Sequence, residues 1–292
     1  MRLRPLWILL PLVGACTERT PPIEDIAPVM TSTTVAQKIA PDDPASHGSM
    51  SEAEFAALHT RNSDAAPKLE GKEIEVGGAR AYLSMPEGGE GPLPAVLVIH
   101  EWWGLTEHIE HWTDRLAQEG YVALAIDLYD GAVAEEAKEA LTLMKAVKTD
   151  AAMAEIEAGL AYLRGLKAVD GAKVASIGWC FGGGWSLRTG LMDAELAAVV
   201  MYYGRPVVEA SKLKPLAGKP LLGIFGAQDA SIPTEKVEAF EAALKKAGVE
   251  AEIVSFEAPH AFANPSGGAY DPEKAEKAWE KTKAMLASAL KE

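Results

Sequence analysis

Residues 178–184 read Gly-Trp-Cys-Phe-Gly-Gly-Gly. The run follows an apolar, β-rich stretch, Val174-Ala175-Ser176-Ile177, and precedes a helix-compatible segment from Trp185. A Gly-x-nucleophile-x-Gly run between a strand and a helix turns so sharply that its central residue is held in a strained backbone conformation. Only small residues fit two before and two after that residue, so Gly178 and Gly182 are what the turn requires. The nucleophile position here holds a thiol, Cys180.

The rest of the chain has to supply a sheet for that turn. Its 292 residues are 48% hydrophobic and 24% charged, enough for one large core. The formal net charge of −14 argues against nucleic acid as a partner and gives no help to binding an anionic lipid surface. Two cysteines, Cys16 and Cys180, do not make a disulfide framework.

The first sixteen residues look like an export signal. Arg2 and Arg4 give a positive start, and a short apolar run interrupted by Pro11 is too short to span a bilayer. Leu12-Val13-Gly14-Ala15-Cys16 resembles the bacterial lipoprotein signal, in which the cysteine is lipidated and becomes the mature N-terminus. This implies export and a lipid anchor on the periplasmic side of a bacterial membrane, with Cys16 as the lipidation site and the anchor as the chain's only membrane contact. A plain secretory peptide or a short N-terminal anchor is the alternative. Residues 17–71, rich in Pro, Thr, Ser, Ala and Asp, read as a largely disordered tether. Within it, Ser51-x-x-Glu54 matches a capping box ahead of Phe55 and Leu58, so one short helix is compatible with that stretch.

The folded domain is expected over residues 72–292. A hairpin turns at Gly77-Gly78, which supply the positive φ angles of a two-residue loop. Apolar runs at 95–99, 121–126, 173–177, 197–203 and 220–225 read as buried strands, with a last strand at 252–256. Helices are expected from about Glu107 with Thr106 as cap, over 133–148, 151–166 and 237–247 with Pro233 in the first turn, and over 272–290. This alternation predicts an α/β fold, a doubly wound and mostly parallel sheet with helices on both faces.

Thiol-dependent acyl transfer needs a nucleophile, a base and an orienting acid. In α/β-hydrolase folds these come in the order nucleophile, acid, histidine, each beyond the C-terminal end of a strand. The chain offers Cys180, then Asp229 in Gly226-Ala227-Gln228-Asp229, then His260 in Pro259-His260-Ala261-Phe262. Each alone has an ordinary structural reading, and their joint order is what carries weight. Backbone N–H groups for a developing oxyanion would come from Phe181 and Trp102.

With these residues in hand, the chain resembles the dienelactone hydrolase (carboxymethylenebutenolidase) family. The marks are His100-Glu101-Trp102-Trp103-Gly104, Asp127-Leu128-Tyr129, the cysteine elbow, Gly226-x-x-Asp229 and His260-Ala261-Phe262. The resemblance implies a role for Glu101, whose counterpart contacts the resting thiol and helps form the thiolate when substrate binds. It implies a pocket drawing on Trp103, Tyr129, Trp179, Phe262 and Asn264. Family members bind a substrate carboxylate through arginines, and Asn264 stands where one of them would fall. A neutral ester or lactone therefore fits as well as an anionic one.

No cofactor and no metal is expected, and a monomer is. His100-Glu101 begins like a zinc motif but Gly104 ends the match. His108 and His111 read as a solvated helix face. No Cys-x-x-Cys points to thiol redox work. The competing functional class is a catalytically inactive, membrane-tethered ligand-binding module on the same scaffold, against which the complete set of three residues speaks.

Overall fold

The computed structural model describes residues 51–61, 66–89 and 91–291. Cys16, the signal-like residues 1–16, residues 17–50 and residues 62–65 of the expected tether lie outside the described residues. The strands are β1 (Lys72–Val76), β2 (Ala79–Ser84), β3 (Leu93–Ile99), β4 (Val122–Ile126), β5 (Val169–Trp179), β6 (Ala198–Tyr202), β7 (Leu221–Gly226) and β8 (Ala251–Phe256). They form one eight-stranded sheet in the order β1-β2-β4-β3-β5-β6-β7-β8. β2 pairs antiparallel with both β1 and β4, and the pairs among β3 to β8 are all parallel. The doubly wound α/β-hydrolase architecture expected from the sequence is therefore present.

The helices are α1 (Glu52–Leu58), α2 (Glu107–Gln118), α3 (Ala137–Ala146), α4 (Thr149–Gly165), α5 (Phe181–Met192), α6 (Ala210–Leu213), α7 (Thr234–Ala247) and α8 (Pro272–Lys291). Among the described residues no helix is long and apolar enough to cross a membrane. The period-2 alternation of β5 sorts the helices between the faces. The Ser176 hydroxyl lies 2.9 Å from that of Ser186 on α5. Trp179, three residues on, points the other way and stacks on Trp112 of α2 at 5.7 Å. Trp112 meets Trp279 of α8 at 5.0 Å, so α2 and α8 share that face. Leu97, in register with Ser176, lies against Gly159 of α4, which puts α4 with α5.

Local chemistry explains most element boundaries. Gly77 and Gly78 have φ of 63° and 90°, as the tight hairpin demands. The capping box closes α1 on both sides: Ser51 N–H donates to Glu54 at 2.8 Å, and Glu54 N–H donates to the Ser51 hydroxyl at 3.3 Å. Two expectations shift. Thr106 stands at the N-cap of α2 but its side chain makes no capping bond, and Pro233 is the N-cap of α7 instead of a first-turn residue. α3 starts at Ala137, later than expected, because the backbone before it is held from outside. Ala134 N–H donates to the Trp103 carbonyl at 2.9 Å, and the Ala134 carbonyl accepts from Arg61 at 2.6 Å.

Candidate active site

The elbow forms as the glycines require. Cys180 has φ 53° and ψ −114°, a left-handed conformation that a non-glycine residue holds only when its surroundings impose it. The imposition is visible on both sides. A Cβ on Gly178 would collide with the Gly182 carbonyl, and one on Gly182 with the carbonyl oxygens of Ile99 and His100. Cys180 N–H donates to the Tyr202 carbonyl at 2.9 Å, which pins the turn to β6. Phe181 opens α5, so its N–H is among those with no intrahelical acceptor. Together these fix the sulfur at the C-terminal edge of the sheet.

His260 and Asp229 reach that edge from the loops after β8 and β7. His260 Nε2 lies 3.2 Å from the Cys180 sulfur, and His260 Nδ1 lies 2.5 Å from Asp229 Oδ2. All three side chains are buried. Asp229 Oδ1 accepts from Ser231 N–H at 2.8 Å, the Ser231 hydroxyl at 2.7 Å and Ile232 N–H at 3.0 Å. Burial opposes ionisation of Asp229, but the His260 charge and these donors prevail and its pKa falls below the usual value. Burial likewise opposes a charge on His260, yet the Asp229 carboxylate and the Cys180 sulfur push its pKa well above the ordinary histidine range.

Glu101 sits differently from what the family resemblance implies. Its Oε2 accepts from Asn264 Nδ2 at 2.6 Å and its Oε1 from the Ser266 hydroxyl at 3.3 Å. Among the described residues the sulfur is hydrogen-bonded to the His260 imidazole, while the Glu101 carboxyl is engaged by Asn264 and Ser266. The amide of Asn264 explains the difference: its oxygen is held by Ser266 N–H at 2.9 Å, so its nitrogen must face the carboxylate. Burial raises the Glu101 pKa to about 7, against the opposing hydrogen bonds from Ser266 and Asn264 and the Arg61 charge. Asn264 thus supports the carboxyl rather than lining an open pocket.

The strand end before Glu101 is locked by His100. Its Nδ1 donates to the Glu101 carbonyl at 2.6 Å and its Nε2 accepts from Leu128 N–H at 3.0 Å. One nitrogen donates and the other accepts, so the ring is neutral, and burial lowers its pKa. Trp102 follows, fully buried, with its ring 4.9 Å from Trp103. Tyr129 packs on His100 at 4.7 Å and on Phe181 at 5.5 Å. Its hydroxyl is buried with no hydrogen-bond partner among the described residues. Burial, with the nearby Cys180 and Glu101 charges, raises its pKa well above the usual phenol value.

Two of the expected pocket residues belong to packing. Trp179 points to the opposite face, against Trp112 and Tyr202. Phe262 is fully buried between Phe256 and Tyr203 and stands behind the ring that faces His260. Other neighbours of the site are invisible in the sequence. Ser231 and Ser266 hold the two carboxyl groups, and only their nearness to Asp229 and Asn264 in the chain hints at it. The N-terminal segment contributes Phe55, whose ring meets Trp102 at 5.2 Å, and His59, whose ring lies 5.2 Å from that of His260. That segment is pinned by an antiparallel bridge between Arg61 and Gly267 and by Gly268 N–H donating to the Thr60 carbonyl at 2.9 Å.

Known proteins share this construction. A match to the dienelactone hydrolase family spans residues 79–290. A Yersinia pestis protein provisionally named carboxymethylenebutenolidase is 32% identical over 215 residues, covering 69% of this chain and 80% of its own length. A crystal structure provisionally assigned as a dienelactone hydrolase, from Klebsiella pneumoniae, superposes with a TM-score of 0.66 at 32% identity, covering 76% of this chain and 99% of that one. A dienelactone hydrolase-like promiscuous phosphotriesterase from metagenomic libraries gives a TM-score of 0.68 at 26% identity, covering 76% of this chain and 98% of that one. The chain is a hydrolase and belongs to the dienelactone hydrolase family.

Proposed function

We propose that the chain hydrolyses a neutral carboxylic ester or lactone through an acyl-Cys180 intermediate. The observation that carries this reading is the continuous line from Asp229 Oδ2 through His260 to the sulfur, at 2.5 Å and 3.2 Å. His260 takes the thiol proton, and the thiolate attacks the carbonyl carbon. A C–S bond forms and the carbonyl π pair moves to oxygen. Phe181 and Trp102 N–H groups receive that oxyanion, and the unpartnered Tyr129 hydroxyl is a further donor within the site. The intermediate collapses, the C–O bond breaks, and the leaving alkoxide takes the proton from His260. Water, deprotonated by His260, then attacks the thioester and the thiolate departs. Ester plus water gives acid plus alcohol.

A neutral substrate is favoured by what surrounds the carbonyl site. Asn264 occupies the place of a family arginine and is spent on Glu101, whose own pKa of about 7 leaves it part-ionised near neutrality. A carboxylate on the substrate would meet that negative charge. Hydrolysis of p-nitrophenyl acetate and of a lactone panel tests the reading, with acyl-Cys180 trapped for mass spectrometry. Cys180→Ala and His260→Ala are expected to lose about a thousandfold or more of the rate. Equal rates in all three proteins would reject the mechanism.

The sequence of residues 1–16 supports a further part of the proposal, export with lipidation at Cys16. Radiolabelled palmitate should enter the wild type and not Cys16→Ser.

A further inference from the structure

His59 has no part in the hydrolysis just described, yet it brings a ring nitrogen close to the same sulfur. Ligand atoms of His59, Cys180 and His260 all lie within 4.8 Å of one another, and the three residues are buried. Both imidazoles are oriented by an oxygen at the far nitrogen. His59 Nδ1 lies 2.7 Å from the Phe55 carbonyl, and His260 Nδ1 lies 2.5 Å from Asp229. A carbonyl or carboxylate can only accept, so in each neutral ring Nδ1 carries the proton and Nε2 presents its lone pair. Imidazole ligands held in this way, one of them by a carboxylate, are the outer-shell arrangement that recurs around protein-bound zinc.

We propose that His59, Cys180 and His260 form an inhibitory site for a thiophilic divalent cation of the zinc class, with the N-terminal segment supplying the third ligand. Two imidazoles and a thiolate suit zinc or cobalt(II) and offer nothing to magnesium or calcium, which take oxygen ligands. Tetrahedral zinc holds nitrogen at about 2.0 Å and sulfur at about 2.3 Å, which puts ligand atoms roughly 3.5 Å apart. His260 and the sulfur, at 3.2 Å, already meet that spacing. His59 closes the rest by a small movement of a short helix end. It stands at the end of α1, two residues ahead of the Arg61–Gly267 bridge that ties the segment down.

Binding releases one proton, the one shared between the sulfur and His260 Nε2. The metal then occupies both lone pairs that acyl transfer uses, so metal binding and turnover exclude each other. A water or anion takes the fourth position. The proposal uses the thiol assigned above, but its failure is separable: turnover in chelator tests the hydrolase reading, and metal affinity tests this one.

The experiment compares wild type with His59→Gln and His59→Ala in buffers of set free zinc, using p-nitrophenyl acetate. With chelator present, the rate of each protein sets its own reference for inhibition. With zinc, the wild type should be inhibited, and the inhibition constant should rise about tenfold or more in both variants. Cobalt(II) titration reads the same site without turnover. The wild type should gain thiolate-to-cobalt charge-transfer absorption and an intense four-coordinate ligand-field band. Cys180→Ser should lose the first, and the His59 variants should weaken the second and the affinity. Equal zinc and cobalt affinity with and without the imidazole at position 59 would overturn the proposal. So would the absence of a thiolate band in the wild type.

Discussion

Two buried carboxyl groups belong to the site, and the fold drives them in opposite directions. Asp229, after β7, is held below the usual carboxyl range, whereas Glu101, after β3, is raised to about 7. Burial alone would raise both. The difference lies in what each oxygen meets. Asp229 has two backbone N–H groups, a hydroxyl and a histidine that becomes cationic. Glu101 has one amide and one hydroxyl, and the Arg61 and His260 charges act on it only through space. Neutral donors soften the cost of burying a charge, and a charged partner reverses it. One carboxyl is therefore fixed as an anion, and the other is free to change state near neutrality.

The sharpest way to break this division is Asp229→Asn. The amide keeps the shape but not the charge that holds a proton on His260. We expect kcat/KM for p-nitrophenyl acetate to fall about a thousandfold or more. A loss under tenfold would mean that the charge on Asp229 does not serve the histidine.

Next in size is Glu101→Gln. Folded wild type keeps the Glu101 proton up to about pH 7, while the unfolded chain releases it near 4.5. Between those values the folded state binds more protons, so wild-type stability falls as pH rises through that window and levels off above it. The fall is about 3 kcal/mol at most from this one group. Urea unfolding at pH 4 and pH 8 should show that Glu101→Gln loses less stability than wild type over the same interval. If the Glu101 charge influences turnover, the wild-type rate profile should bend near pH 7 and that of the variant should not.

Removing a donor from Glu101 without touching its charge refines the comparison. Asn264→Leu takes away the 2.6 Å bond, so the Glu101 inflection should move up by about one pH unit. Ser266→Ala removes a longer bond of 3.3 Å and should move it in the same direction by less. pH–rate profiles of the two variants give the order. A shift to lower pH in either would show that these donors do not support the carboxylate form.

The parts of the site that could be read from the sequence are those in which short-range chemistry and strand periodicity act together. Cys180, Asp229 and His260 each follow a strand of the parallel sheet, so their positions at one sheet edge come from topology. The bond from Asn264 to Glu101 spans 163 residues, and nothing local announces it. His59 is the same kind of case: its segment reads as a tether by composition, and only docking against Trp102 and His260 gives it a place. Trp179 could have been assigned correctly. Counting by twos along β5 from Ser176 sends it to the far face, away from the sulfur. The late start of α3 was not accessible, because bonds from Arg61 and Trp103 decide it.

Gly182 rests directly against the ends of β3, with the Ile99 and His100 carbonyls filling the space where a side chain would begin. The hinge that carries the sulfur and the ledge that carries Glu101 and Trp102 are thereby fused into a single unyielding block. Variation in what this protein accepts must be written elsewhere, in the 260–267 loop and the strap across it. Those are the parts that could be exchanged among descendants while the block is inherited whole.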